Sequence, residues 1–292
     1  MKKFCLVLVF IILLTAIGCT KPFRPADIVA TTGPVCYFTT FLCRGTALEA
    51  DQLVSDSISC LHDYSLSVSQ VRTLEAAKTV VISGAGLEAF MEDLLNNREK
   101  IIDSSEGLHL LECTEEHDHE HDHAHSHEED AHIWLAPENA RKMATNICQG
   151  LCAVYPEHTA TFSENLAVLL EKFDALQVYA DESLSSLSCR DLITFHDGFG
   201  YLAHSFGLNI VAAIEEESGS EASAKELIEL IELIEQHHIP AIFTEINGST
   251  SASRVIAAET DVKIYALDMG ITCNDYFEMM YRNIDTLKEA LG

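Results

Sequence analysis

The stretch PEHTATFSENLAVLLEKFDALQVYADESLSSL, residues 156–187, contains no glycine and no proline after its first residue. Phe162, Leu166, Leu169, Leu170, Phe173, Leu176 and Val178 recur along it at helical spacing, which predicts one long helix. Both flanks alternate between short apolar runs and amphipathic segments. Upstream, Asp27–Gly33 and Thr79–Gly84 read as strands running into glycine turns, Ile101-Ile102 begins a third, and Val68–Ala77 and Leu87–Leu95 have helical spacing. Downstream, strand-like runs start at Asp191, Asn209, Ala241 and Val262, with an acidic amphipathic helix over Glu221–His238. Strands alternating with helices imply parallel sheets with crossover helices. The expected fold is therefore α/β: two parallel-sheet lobes joined by one long rigid helix.

The remaining boundaries follow from composition. Met1-Lys2-Lys3 and the apolar run Phe4–Ile17 form a leader too short to span a bilayer comfortably. The run ends in Ala16-Ile17-Gly18-Cys19, which resembles a bacterial lipobox with Cys19 as the lipidated first mature residue. Residues 1–18 are thus expected to be a signal peptide and 19–26 a tethered linker. Residues 27–155 form the first lobe, 156–187 the bridging helix and 188–292 the second lobe. The expected location is extracytoplasmic, in the cell envelope, anchored through Cys19. There the pairing of Cys36, Cys43, Cys60, Cys113, Cys148, Cys152, Cys189 and Cys273 stays open, because spacing alone does not fix it. A formal charge of −28 excludes nucleic acid as a partner, since that binding needs a basic footprint.

One segment departs from all of this. Residues 115–130 hold six histidines, His117, His119, His121, His123, His125 and His127, among eight acidic residues. Such a tract cannot build a core, and its composition predicts a disordered loop. Imidazoles suit zinc, copper and nickel, and carboxylates raise the local cation concentration. The tract is read as a metal collector. Four further candidates stand outside it: His62 in Cys60-Leu-His-Asp-Tyr, His132 in Asp130-Ala-His-Ile-Trp-Leu-Ala-Pro, His196 in Phe195-His-Asp-Gly-Phe-Gly-Tyr, and Asp268 after Ile264-Tyr-Ala-Leu. At least three follow strand-like segments, where open α/β sheets place their ligands. Three imidazoles and a carboxylate make a plausible zinc shell, although each residue alone also reads as an ordinary strand-end side chain.

These motifs resemble those of the zinc-binding solute-binding lipoproteins of bacterial metal-uptake ABC transporters, in the manganese/zinc family. The resemblance runs from about Asp27 to the C-terminus. Asp130-Ala-His-Ile-Trp-Leu-Ala-Pro matches the family's Asp-Pro-His-Ile-Trp-Leu-Ser-Pro, and Phe195-His-Asp-Gly-Phe-Gly-Tyr its Phe-His-Asp-Ala-Phe-Gly-Tyr. Cys60-Leu-His-Asp-Tyr-Ser-Leu stands for Asp-Pro-His-Glu-Tyr-Glu-Pro, Ser83-Gly-Ala-Gly-Leu-Glu for Asn-Gly-x-Gly-Leu-Glu, and Leu267-Asp-Met-Gly for Leu-Asp-Pro-Leu. The resemblance implies a site in the inter-lobe cleft built from His62, His132, His196 and Asp268. It also implies a monomer that is no enzyme, captures Zn²⁺ and delivers it to an ABC permease membrane subunit with its ATPase. Manganese-type members usually carry a carboxylate where this chain has His196, so zinc is favoured and manganese is the alternative. A zinc hydrolase is the rival of another class, since three histidines can leave a water position open. The chain has no HExxH, GxSxG or P-loop pattern to support it.

Overall fold

Two four-stranded parallel sheets frame the computed structural model, which describes residues 26–55, 61, 64–96, 98–111, 129–196, 198–215, 223–246, 248 and 250–292. The leader with Cys19, His62 and the six-histidine tract lie outside the described residues. The first sheet has strands β1 (Ile28–Ala30), β2 (Ala50–Gln52), β3 (Thr79–Ile82) and β4 (Ile101–Asp103) in the order β2-β1-β3-β4. The second has β5 (Asp191–His196), β6 (Asn209–Glu215), β7 (Ala241–Glu245) and β8 (Lys263–Leu267) in the order β6-β5-β7-β8. All pairings are parallel. Each order reverses between its two central strands, β1/β3 and β5/β7, and such switch points are where open α/β sheets hold ligands.

The helices are α1 (Gly33–Leu42), α2 (Val68–Ala76), α3 (Glu92–Leu95), α4 (Pro137–Val154), α5 (Thr159–Leu184), α6 (Gly200–Phe206), α7 (Ala224–His237), α8 (Ser251–Glu259) and α9 (Tyr276–Leu291). The long α5 has 26 residues, or about 39 Å at 1.5 Å per residue. It packs against α1 and α4 of the first half and α6 and α9 of the second. Its buried stripe is Phe162, Leu169, Phe173, Leu176, Ala180 and Leu184, whereas Val178 is 56% exposed and lies off the stripe. The helix is also shorter than the sequence predicts. Residues 156–158 form a 3₁₀ turn before it, and Ser185 follows its last residue, Leu184.

Aromatic contacts fix this helix between the lobes. Phe173 meets Phe277 of α9 at 4.9 Å and Phe38 of α1 at 5.8 Å, while Phe38 meets Tyr276 at 5.0 Å. One continuous hydrophobic core runs from Ile28 through α5 to Leu291. Fully buried aromatic rings supply more area per residue than any other side chain, and packing at interior density makes the bridge stiff.

Two further helices differ from expectation. The segment Leu87–Leu95 is a turn, a 3₁₀ turn over Ala89–Met91 and the single-turn α3. The break lies inside the segment, where Met91 at φ −133° and ψ 20° leaves the helical region. The acidic helix α7 starts at Ala224 and not at Glu221, because Ser223 and Glu226 form a capping box. Cys36, Cys43, Cys148, Cys152, Cys189 and Cys273 are free thiols.

The β1/β3 switch point holds a buried acid. Glu88 accepts hydrogen bonds from the Thr31 hydroxyl at 2.5 Å and from the Ser83 and Gly84 amides at 2.8 and 3.0 Å. Burial pushes its carboxyl from the ordinary 4.5 up to about 7, with Asp103 adding to the rise and the three donors opposing it. A carboxyl with a raised folded-state pKa binds more protons when folded, so stability from this group is full below 4.5 and falls as pH rises through 7. Wild-type protein is expected to lose about 3 kcal/mol from this source between those values. Urea unfolding of Glu88→Gln against wild type at pH 5 and pH 8 checks it: the variant should lack this component of the slope.

Candidate metal centre

His196 is the last residue of β5, at the carboxyl end of the central strand pair of the second sheet. His132 belongs to the first half of the chain, immediately before the 3₁₀ turn Ile133–Leu135 that leads into α4. The fold brings these two together across 64 residues of sequence. Their ring centroids are 5.7 Å apart at an interplanar angle of 82°, and the residues are only 3% and 8% exposed.

Asp130, which the motif contains but sequence reasoning gave no task, orients the first of them. Its Oδ1 accepts from the His132 backbone amide and from Nδ1, both at 2.8 Å. A buried carboxylate on Nδ1 fixes the tautomer and ring orientation and makes Nε2 the metal-binding nitrogen. The signal that could have found it is a carboxylate two residues before a candidate ligand histidine. A Cβ on Gly200, the first residue of α6, would stand 3.1 Å from the other Asp130 oxygen. The second lobe thus packs directly on the group that holds the first lobe's imidazole.

The turn after β8 forms the neighbouring wall. Asn283 of α9 clasps the Asp268 backbone, accepting from its amide and donating to its carbonyl, each at 2.9 Å. The Asp268 carboxylate accepts from the Gly270 amide at 2.9 Å and pairs with Arg282 at 3.3 Å. The Met269 carbonyl accepts from the Trp134 indole at 2.8 Å, and the Tyr276 hydroxyl donates to the Trp134 carbonyl at 2.9 Å. Trp134, two residues beyond His132, therefore ties the first lobe's ligand turn to the second lobe's. Among the described residues, no three His, Cys, Asp or Glu side chains stand close enough to share one ion. His132 and His196 meet, Asp268 faces Arg282, and His62 is outside the described residues. Where the tract leaves and re-enters, Leu111 and Asp130 are bonded to each other (2.9 Å, Asp130 amide to Leu111 carbonyl), and the Leu111 amide donates to the Tyr201 hydroxyl at 2.9 Å.

Two parallel sheets, a long helix packed on helices of both halves and a pair of buried imidazoles at a sheet's switch point define a bilobed α/β binding protein. Residues 28–290 match the family model of zinc-uptake complex component A, periplasmic (ZnuA). The chain belongs to this family. The zinc-binding lipoprotein AdcA of Streptococcus pneumoniae serotype 4 is 32% identical over 310 aligned positions, covering 99% of this chain and 61% of that protein. The chain thus spans about three fifths of the length of that relative. Among solved structures, a crystal structure of ZnuA superposes with a TM-score of 0.81 at 29% identity, over 92% of this chain and all of the other. The Zn(II)-bound ZnuA-like domain of S. pneumoniae AdcA gives 0.76 at 28% identity, over 92% and 99%.

Proposed function

We propose that the chain is the extracytoplasmic zinc receptor of a metal-uptake ABC transporter, tethered through a lipid on Cys19 and delivering Zn²⁺ to a membrane permease. It acts as a binding protein and not as an enzyme. The observation that carries this reading is the convergence of His132 and His196, from opposite halves of the chain, at 5.7 Å. Two imidazoles, one of them oriented by a carboxylate, suit zinc better than manganese, which favours oxygen donors. The Zn(II)-bound relative of the same fold supports the same metal.

His62 and Asp268 complete the shell in this proposal, and Asp268 exchanges its Arg282 partner for the ion. A closed shell of four leaves no water position, which disfavours the hydrolase reading. Residues 117–127 collect metal, and Leu111 and Asp130, which lie on either side of that segment in the chain, are bonded to each other, Asp130 being two residues from His132. Equilibrium competition against a chromophoric zinc chelator tests the division of labour. Deleting residues 117–127 is expected to remove the weak zinc equivalents and leave one tight one. Loss of the tight equivalent with the tract would overturn the receptor reading in favour of a surface zinc buffer.

A further inference from the structure

We infer that Met269 makes the His132–His196 site a site for a soft monovalent cation, Cu(I), as well as for zinc. The inference deepens the receptor reading and rests on it. A buried methionine is ordinarily core filling, and Met269 is only 4% exposed. What separates it from filler is what it abuts. A Cβ placed on Gly198 would lie 2.7 Å from the Met269 ε-carbon, 3.0 Å from His196 Cδ2 and 3.1 Å from His132 Cε1. Both imidazole edges and the end of the thioether therefore converge on one face of Gly198, closely enough that even a methyl group there would be crowded.

The placement is held from the backbone. The Trp134 indole fixes the Met269 carbonyl, Asn283 fixes Asp268 and the Asp268 carboxylate fixes the Gly270 amide. In this structure the turn therefore brings the Met269 ε-methyl to the same face of Gly198 as the two rings and sets Asp268 against Arg282. Two departures from the motifs quoted above, glycine for alanine at 198 and methionine for proline at 269, are neighbours in space. Thioether sulfur is a poor donor for hard cations and a good one for Cu(I), while imidazole serves both zinc and copper. A turn about the last side-chain bonds of Met269 puts its sulfur where the ε-methyl stands, and two imidazoles and a thioether then form a three-donor set for Cu(I).

The test loads the full chain with one tight equivalent of radiolabelled zinc and titrates it anaerobically with Cu(I) buffered by bicinchoninate, reading retained zinc. Wild type is expected to release the ion. Met269→Leu keeps the volume and removes the sulfur, and should lower the Cu(I)-over-zinc selectivity by about tenfold or more. Met280→Leu, which removes a buried sulfur from α9, should leave that ratio where it is. Equal selectivity in Met269→Leu and wild type would overturn the inference and return Met269 to packing. Wild type that holds zinc tightly against Cu(I) would overturn it too, with the receptor reading intact. Wild type that never holds a tight zinc would overturn the receptor reading itself, and the inference with it.

Discussion

A chain carrying His62→Ala, His132→Ala and His196→Ala is expected to lose the zinc-dependent rise in melting temperature. Wild type should gain about 4 kcal/mol at zinc a thousandfold above its Kd. For a protein of this size that is roughly 10 °C, at about 2–4 °C per kcal/mol. The measurement isolates the folded site from the collector. Six histidines at alternate positions need no tertiary structure to come together, so tract 117–127 binds the unfolded chain as well as the folded one. A ligand that binds both states equally shifts nothing. His132 and His196 reach each other only in the fold, at 5.7 Å, so metal held there is withdrawn on unfolding.

The zinc-free variant will melt lower than zinc-free wild type. Removing the His132 ring takes a donor from the buried Asp130 carboxylate, which costs about 1–3 kcal/mol. The decisive quantity is therefore the zinc-induced shift within each protein. A shift in the triple variant equal to that of wild type would remove these histidines from the site. A shift abolished by His132→Ala alone would point to the residue whose imidazole is already oriented for coordination.

Periodicity made the frame legible: four strands of the second sheet, three of the first and the long helix follow from apolar spacing. Strand β2 was not legible, because Ala50-Asp51-Gln52 has no apolar character. It is a strand because its backbone pairs with Ile28–Ala30. Helices α1 and α4 were missed for a related reason. Both open at or beside a proline, Pro34 and Pro137, and neither segment is assigned from the sequence, although proline in a first helical turn loses no intrahelical bond. In the site, His132 and His196 were legible as motif residues, His196 also as the end of a strand-like run. Asp130 and Met269 were not, because a tautomer-fixing carboxylate and a thioether beside an imidazole are defined by distance and not by spacing. The Asp268–Arg282 pair is equally a product of α9 folding back over β8.

Gly33→Ala is expected to destabilise the protein by about 3 kcal/mol, against the usual direction of that substitution in a helix. Gly33 opens α1, and its amide donates to the Ile271 carbonyl at 2.7 Å. Its φ is not left-handed, so backbone strain is not the issue. Space is. A Cβ would lie 2.5 Å from the Cys273 nitrogen, 2.6 Å from the Cys273 oxygen and 3.0 Å from the Gly270 oxygen. These are main-chain atoms, and no rotamer change moves them. The turn that carries them is pinned by Asn283, by the Trp134 indole and by the hydrogen bond from the Cys273 amide to the Gly270 carbonyl. Relief requires α1 of the first lobe to part from the ligand turn of the second. Gly198→Ala is the comparison, because its tightest neighbour is the free end of a flexible side chain, the Met269 ε-carbon at 2.7 Å. That variant should cost about 1 kcal/mol, at the low end for overpacking. Urea unfolding of both variants measures the difference, and zinc affinity should fall in Gly33→Ala because the displaced turn holds Asp268 and Met269. A Gly33→Ala protein as stable as wild type would mean that the turn moves freely against α1.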